Sequence, residues 1–245
     1  DKNSFSLSDN TFEAIQSGRQ IAMIAGGAEE LDVTQAAVFD TLFATSTQND
    51  HPELSPRPFD AARDGLVLGE GACTLILEEY EHAIARDAKI YAELISFGTN
   101  SDGQHVTHPH APTMEHALRF SLKNCGLSTD AIGYVNAHGT ATDQGDLAES
   151  QATWAIFGRD VPISSLKSYM GHTLGACGSL EAMMSINMMT EGWFAPTLNL
   201  TQLDERLPAL GYLQDGMTNP NVEYVMSNNF AFGGINTSLI FKRIR

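Results

Sequence analysis

Residues 173–192, TLGACGSLEAMMSINMMTEG, are apolar on nearly every face and begin with small side chains. A helix of that kind cannot rest on one surface. It needs neighbours on all sides, which binds the chain to a layered fold with this helix at the centre. The rest of the sequence supplies the layers. QIAMIAGG (20–27) is a short apolar run closed by glycines and reads as a buried strand, after which Thr34 caps an apolar-periodic helix through QAAVFDTLFA. GACTLILEEY reads as strand, EHAIARDA as a short helix, and KIYAELISFG opens a second alternation. A helix over 113–125 ends at Gly126, the strand YVNAH follows, and DLAESQATWAIFG gives another helix closed by glycine. YVMSNNFAFGGINTSLIF, two β-rich runs around a glycine turn, reads as a hairpin. The class is α/β.

Composition narrows the function. The 245 residues, 42% apolar, can bury a core in one large domain or two packed halves. No window approaches the run of about 18 apolar residues that a membrane span needs. The opening DKNSFSLSDN has neither the basic nor the apolar region of a signal peptide, so the chain reads as soluble and cytoplasmic. The same ten residues carry little apolar content ahead of a buried strand and read as a cut surface. With 14 basic against 30 acidic residues, the net charge of −16 argues against nucleic acid or an anionic membrane as partner. Cys73, Cys125 and Cys177 form no CxxC pair, which argues against a disulfide framework or a structural zinc site.

Two histidines stand in matched settings. His138 ends the apolar run YVNAH and precedes Gly139-Thr140, at the carboxyl end of a strand, where open α/β sheets present reactive groups. His172 follows Gly171 and precedes the central helix, whose free N–H groups lower an imidazole's pKa and suit it to donate toward developing negative charge. Two such rings can clamp one carbonyl oxygen. Two buried, hydrogen-bonded core histidines would give the same pattern. In DGQHVTHPH, Asp102, His105, His108 and His110 have a spacing that a zinc or nickel ion could use, though loop histidines of this kind are more often solvated. LGACG lacks the Lys-Ser/Thr of a phosphate-binding loop.

NAHGTATDQGD and SLKSYMGHTLGACGSLEA resemble the segments that carry the two histidines and the lysine of β-ketoacyl-acyl carrier protein synthases. AGGAEE, RPFDAARDGLVLGEGACTLILEEYEHA, SDGQHVTHP and NNFAFGGINTSLIF fall in the same family order, over about 13–245. The fold this resemblance implies is thiolase-like, a layered αβαβα arrangement of two related halves. Residues 1–88 would be the end of the first half and 89–245 a complete second half. The implied reaction is decarboxylative condensation of malonyl-acyl carrier protein with an acyl chain, in fatty acid or polyketide synthesis, with no cofactor and no metal.

Carried onto this chain, His138 and His172 hydrogen-bond the malonyl thioester oxygen, Lys167 and Glu149 orient them through a charge network, and Asp146 supports them. Phe230, Phe232, Gly233, Gly234, Thr140 and Thr142 would line the acyl and thioester pocket. The family's nucleophile is a cysteine one helix length before AGG. Counting back reaches Asp1, and Cys73, Cys125 and Cys177 all lie elsewhere, so the chain as written is expected to lack the nucleophile and not to condense alone. The implied partners are an acyl carrier protein and a second subunit, either a homodimer mate or a partner synthase. Carrier protein is acidic, so docking calls for a basic patch, drawn from Arg57, Arg63 or the half of the fold missing from this chain. A non-catalytic reading also stands: a chain-length-factor-like or scaffolding half-thiolase module. Both histidines and Lys167 weigh against it.

Overall fold

A computed structural model describes residues 4–104 and 107–244, with side chains from residue 10 onward. The first elements are α1 (Ser4–Gln16), β1 (Ala22–Glu29), α2 (Val33–Thr41), β2 (Gly71–Glu78) and α3 (Tyr80–Ala85). Next come β3 (Ala92–Ser101), α4 (Ala111–Cys125), β4 (Ile132–Asn136), α5 (Asp143–Phe157), β5 (Pro162–Ser164) and α6 (Lys167–Met170). The chain ends with α7 (Cys177–Glu191), β6 (Trp193–Phe194), β7 (Gly211–Tyr212), β8 (Met217–Thr218), β9 (Tyr224–Ala231) and β10 (Ile235–Arg243).

Six strands form one mixed sheet in the order β3-β10-β9-β4-β5-β7. β3, β10 and β9 pair antiparallel, whereas β9, β4, β5 and β7 pair parallel. A parallel pair needs a crossover, and α5 supplies the one between β4 and β5. Successive side chains of β9 and β10 go to opposite faces. Met226, Phe230 and Ile240 pack with Met114, Leu118 and Leu122 of α4 and with Ala152 and Phe157 of α5. Val225, Leu239 and Phe241 pack with Ala182, Met188 and Met189 of α7. Each large side chain so buried contributes about 1.5–3 kcal/mol.

Beyond α7 lies a separate antiparallel ribbon of β1 and β2, and Leu75 of β2 reaches into the α7 cluster. The central helix is therefore held between two β layers, the close packing that its all-round apolar sequence requires. It starts at Cys177, later than residue 173, because Leu174–Ala176 form a separate 3-10 turn and Leu174 takes φ 43°. The cap of α2 also differs from expectation. Asp32, not Thr34, accepts the Thr34 N–H at 2.8 Å, and Gln35 closes the capping box.

α2 buries none of its residues. Ile24 and Ile76, directly opposed in the β1–β2 register, are each 73% exposed, which leaves the outer face of the ribbon open. Among the described residues, no helix is long and apolar enough to cross a membrane.

Candidate active site

His138 leaves the end of β4 on a turn that the sequence stiffens from behind. Ala137 donates its N–H to Ser164 O of the neighbouring β5 at 2.9 Å. The next two N–H groups, of His138 and Gly139, go to the two carboxylate oxygens of Glu149 on α5, at 2.8 and 2.7 Å. Asp146, one turn earlier on α5, accepts from Ala141 N at 3.1 Å and from Phe59 N at 2.8 Å. Burial raises the Glu149 carboxyl to about 8 and Asp146 to about 6, against the pull of these N–H groups.

Glu149 thus fixes the backbone on which His138 sits, rather than touching its ring. Glu149→Ala leaves two buried N–H groups unpaired and should cost about 2–5 kcal/mol in urea unfolding, with Glu149→Gln, which keeps one acceptor, losing roughly half as much. Equal stability of the wild type and Glu149→Ala would contradict this account.

His172 is seated by the first part of the chain. Its N–H donates to Val67 O at 2.7 Å, and its carbonyl accepts from Gly69 N at 3.0 Å. Gly171, at φ 69° and ψ −172°, makes the bend into this seat, and a Cβ there would meet Val67 O at 2.8 Å. Gly171→Ala should therefore cost about 1–3 kcal/mol in thermal unfolding. It should also displace His172. Behind the turn, β1 approaches so closely that a Cβ on Gly27 would lie 2.1 Å from Gly175 O, while Glu29 accepts the Gly175 N–H at 2.9 Å.

The His172 Nδ1 accepts the Leu174 N–H at 3.1 Å. That bond leaves the proton on Nε2, so the neutral ring is a donor. His172 precedes α7, as the sequence suggested, but is separated from its first turn by the 3-10 turn. The rings of His138 and His172 meet edge to face, 5.2 Å between centroids. Both line one cavity of about 480 Å³ with Thr140, Thr142, Phe230, Phe232 and Gly234. Phe230 stands 6.2 Å from His138, ring to ring. Gly233 takes φ 84° in the hairpin turn and is outside the lining.

Lys167 is buried, and its Nζ donates to Glu181 Oε1 of α7. Glu181 is its ion-pair partner, an addition to the expected network, in which the charges of Lys167 and Glu149 act on one another without a direct bond. Glu181 also receives the Cys177 thiol at 3.6 Å, and Cys177 Sγ accepts from Asn229 Nδ2 at 2.9 Å. Burial, followed by the Lys167 charge, holds His138 and His172 well below the ordinary imidazole range. The sequence does carry a signal for Glu181: a carboxylate inside an all-apolar helix requires a cation. Asn229, Phe39 of α2, and Leu42 and Phe43 just after that helix, which also line the cavity, have no such signal.

The other expectations divide. Asp102 accepts from Thr113 Oγ1 at 3.1 Å, and His110 Nδ1 lies 3.2 Å from the same hydroxyl. His105 lies outside the described residues, and among these no three His, Cys, Asp or Glu side chains converge as a metal site. Arg63 is not a surface cation: its guanidinium is buried between Asp204 at 2.7 Å, Asp143 and Asp146. Arg57 pairs with Asp60. Neither offers a docking patch.

Residues 4–83 match the model of the β-ketoacyl synthase N-terminal domain, and residues 91–201 that of the C-terminal domain. The chain is 42% identical over 233 residues to 3-oxoacyl-[acyl-carrier-protein] synthase 1 of Haemophilus influenzae, covering 94% of this chain and 57% of that protein. It is 41% identical to the synthase 1 of Escherichia coli, covering 96% of this chain and 58% of that one. Among solved structures, a β-ketoacyl synthase from Burkholderia phymatum matches with TM-score 0.96 and 60% identity, over 98% of this chain and 59% of that one. A type II polyketide ketosynthase in complex with its acyl-carrier protein matches with TM-score 0.91 and 31% identity, over 96% of this chain and 59% of that one. The chain spans somewhat over half the length of these relatives. The two matched domain models, the thiolase-like layers and the identity to these synthases agree, and the chain belongs to the β-ketoacyl synthase family.

Proposed function

We propose that His138 and His172 bind the carbonyl oxygen of a malonyl thioester and stabilise the enolate formed when it loses carbon dioxide. The electron pair of the breaking carbon–carbon bond moves to the α carbon and is shared with the thioester oxygen, where the two imidazoles share the charge. The observation that supports this most is the pair of neutral rings, His138 buried and His172 half-buried, 5.2 Å apart on one cavity. Lys167 positions the pair electrostatically, and Phe230 and Phe232 flank the thioester.

The whole reaction is then the family's: a 3-oxoacyl-acyl carrier protein synthase in fatty acid or polyketide synthesis, taking its substrates from a carrier protein and pairing with a second subunit. The two matched stretches support a division of the chain at residues 1–88 and 89–245. Condensation needs a nucleophilic cysteine. Cys73 and Cys177 are buried, Cys177 is pushed up to about 12 by that burial, and Cys125 ends α4, so none is proposed for the role. Retention of both imidazoles and of the Lys167–Glu181 pair favours this reading over a scaffolding module. Carbon dioxide release from malonyl-pantetheine, by the chain and by a variant with alanine at both histidines, tests it. Equal rates would end the proposal.

A further inference from the structure

Two residues other than glycine lie in the left-handed region on either side of one carboxylate. Phe59 takes φ 68° and Ala141 φ 64°, and both are fully buried. Each gives its N–H to Asp146, Phe59 to Oδ2 at 2.8 Å and Ala141 to Oδ1 at 3.1 Å. A Cβ is strained at such angles, and a strained residue persists only where its surroundings over-determine it. Here the clamp is Asp146, which is itself fully buried and so needs a cation to hold its charge.

Arg63 is that cation. Its Nε faces Asp146 Oδ2 at 3.5 Å, while Nη1 donates to Asp204 and to Asp60 O, and Nη2 to the Asp143 carbonyl. Asp143 and Asp204 also pair with Arg206, so each keeps a second cation if Arg63 is lost. Asp146 has no other ion-pair partner among the described residues, and the Arg63 charge alone opposes the burial that raises its carboxyl to about 6 together with the N–H groups it accepts.

The clamped turn reaches the cavity. Thr140 and Thr142 flank Ala141, line the cavity beside His138, and hold their hydroxyls 2.9 Å apart. His138 and Gly139 are bound separately, by Glu149. One turn thus has two anchors, Glu149 for the imidazole and Asp146 for the pair of hydroxyls.

We propose that Arg63 is a positioning residue for substrate binding: through Asp146 it holds the strained turn that offers Thr140 and Thr142 to a thioester arm in the cavity. This rests on the reading of the cavity as a thioester site. Arg63 touches no substrate. Its guanidinium keeps Asp146 able to accept both N–H groups, and without it the left-handed turn relaxes and the two hydroxyls lose their places. Because the imidazole is anchored elsewhere, the loss falls on binding and spares the chemical step.

Carbon dioxide release from malonyl-pantetheine, resolved into kcat and KM, and amide hydrogen exchange test this together. Arg63→Met should raise KM about tenfold and leave kcat within about threefold of wild type, whereas simple loss of folded protein would lower kcat and leave KM alone. Arg63→Lys, which keeps the charge and loses the planar fork, should raise KM about threefold, and it decides alone if Arg63→Met does not fold. Adding Ala141→Gly to Arg63→Met should bring KM back to within about threefold of wild type, since glycine adopts the left-handed angle without a clamp. Exchange of the Phe59 and Ala141 amides should quicken about tenfold in Arg63→Met while the His138 and Gly139 amides keep their rates.

Unchanged KM in the variants, a lowered kcat at unchanged KM, or equal quickening of all four amides overturns the proposal. The exchange measurement needs no substrate, which separates this claim from the reading it rests on. A wild type that releases no carbon dioxide removes the thioester reading, and selective quickening then leaves the Arg63 anchor standing. Release with a KM indifferent to Arg63 does the reverse.

Discussion

Replacing His138 or His172 by alanine lowers carbon dioxide release from a malonyl thioester about 10²–10³-fold in each case, the usual loss for one donor to a developing oxyanion. The effect is this large because His138 is buried and His172 half-buried, so water screens their N–H groups little from the charge that forms. The double variant should fall little below the weaker single one, because the two donors act on one atom. A single variant within about threefold of wild type would remove that histidine from the mechanism.

The same pair leaves a mark on stability. The folded rings titrate below the unfolded value of 6.5, so the unfolded chain takes up protons that the native one refuses. Their contribution to stability is present above pH 6.5 and is lost as pH falls below it. Urea midpoints from about pH 7 to about pH 5 should decline, and the decline should shrink in the double alanine variant.

Lys167→Met costs about 3–5 kcal/mol in urea unfolding. The substitution leaves Glu181 buried without its cation, and Cys177 and Asn229 lean on the same carboxylate. Removing both charges, as Lys167→Met with Glu181→Leu, should restore most of the loss, because a buried apolar pair carries no desolvation penalty. The restored protein should still differ in one respect. Without the Lys167 charge, His138 and His172 take up protons at higher pH, a shift visible in imidazole NMR titrations. A Lys167→Met protein within about 1 kcal/mol of wild type would mean that Glu181 is neutral or solvated in the fold.

What the sequence disclosed follows from which forces are local. The β9–β10 hairpin, the strand before His138 and the helix ends at Gly126 and Gly158 were readable because glycine and apolar alternation act over a few residues. The start of α7 was misplaced because Leu174–Ala176 are helical in composition and are diverted by His172 Nδ1 and Glu29, groups 2 and 146 residues away. Arg63 read as a surface cation because no periodicity reveals that three aspartates enclose it. Phe43 was invisible as a cavity residue, since a left-handed phenylalanine leaves no pattern. Glu149 was named as orienting the histidines through a charge network, and the structure shows it holding the His138 turn by two backbone N–H groups, a bond that no local pattern reveals.

The backbone of His172 is stitched to Val67 and Gly69, while His138 stands on a strand and helix that come later in the chain. The spacing of the two rings therefore depends on this seam with residues 67–69 as well as on the sheet, much as a vernier reads the offset between two rulers. Gentle heat or denaturant that loosens the seam shifts His172 against His138, so chemistry should fade while the helices and strands remain.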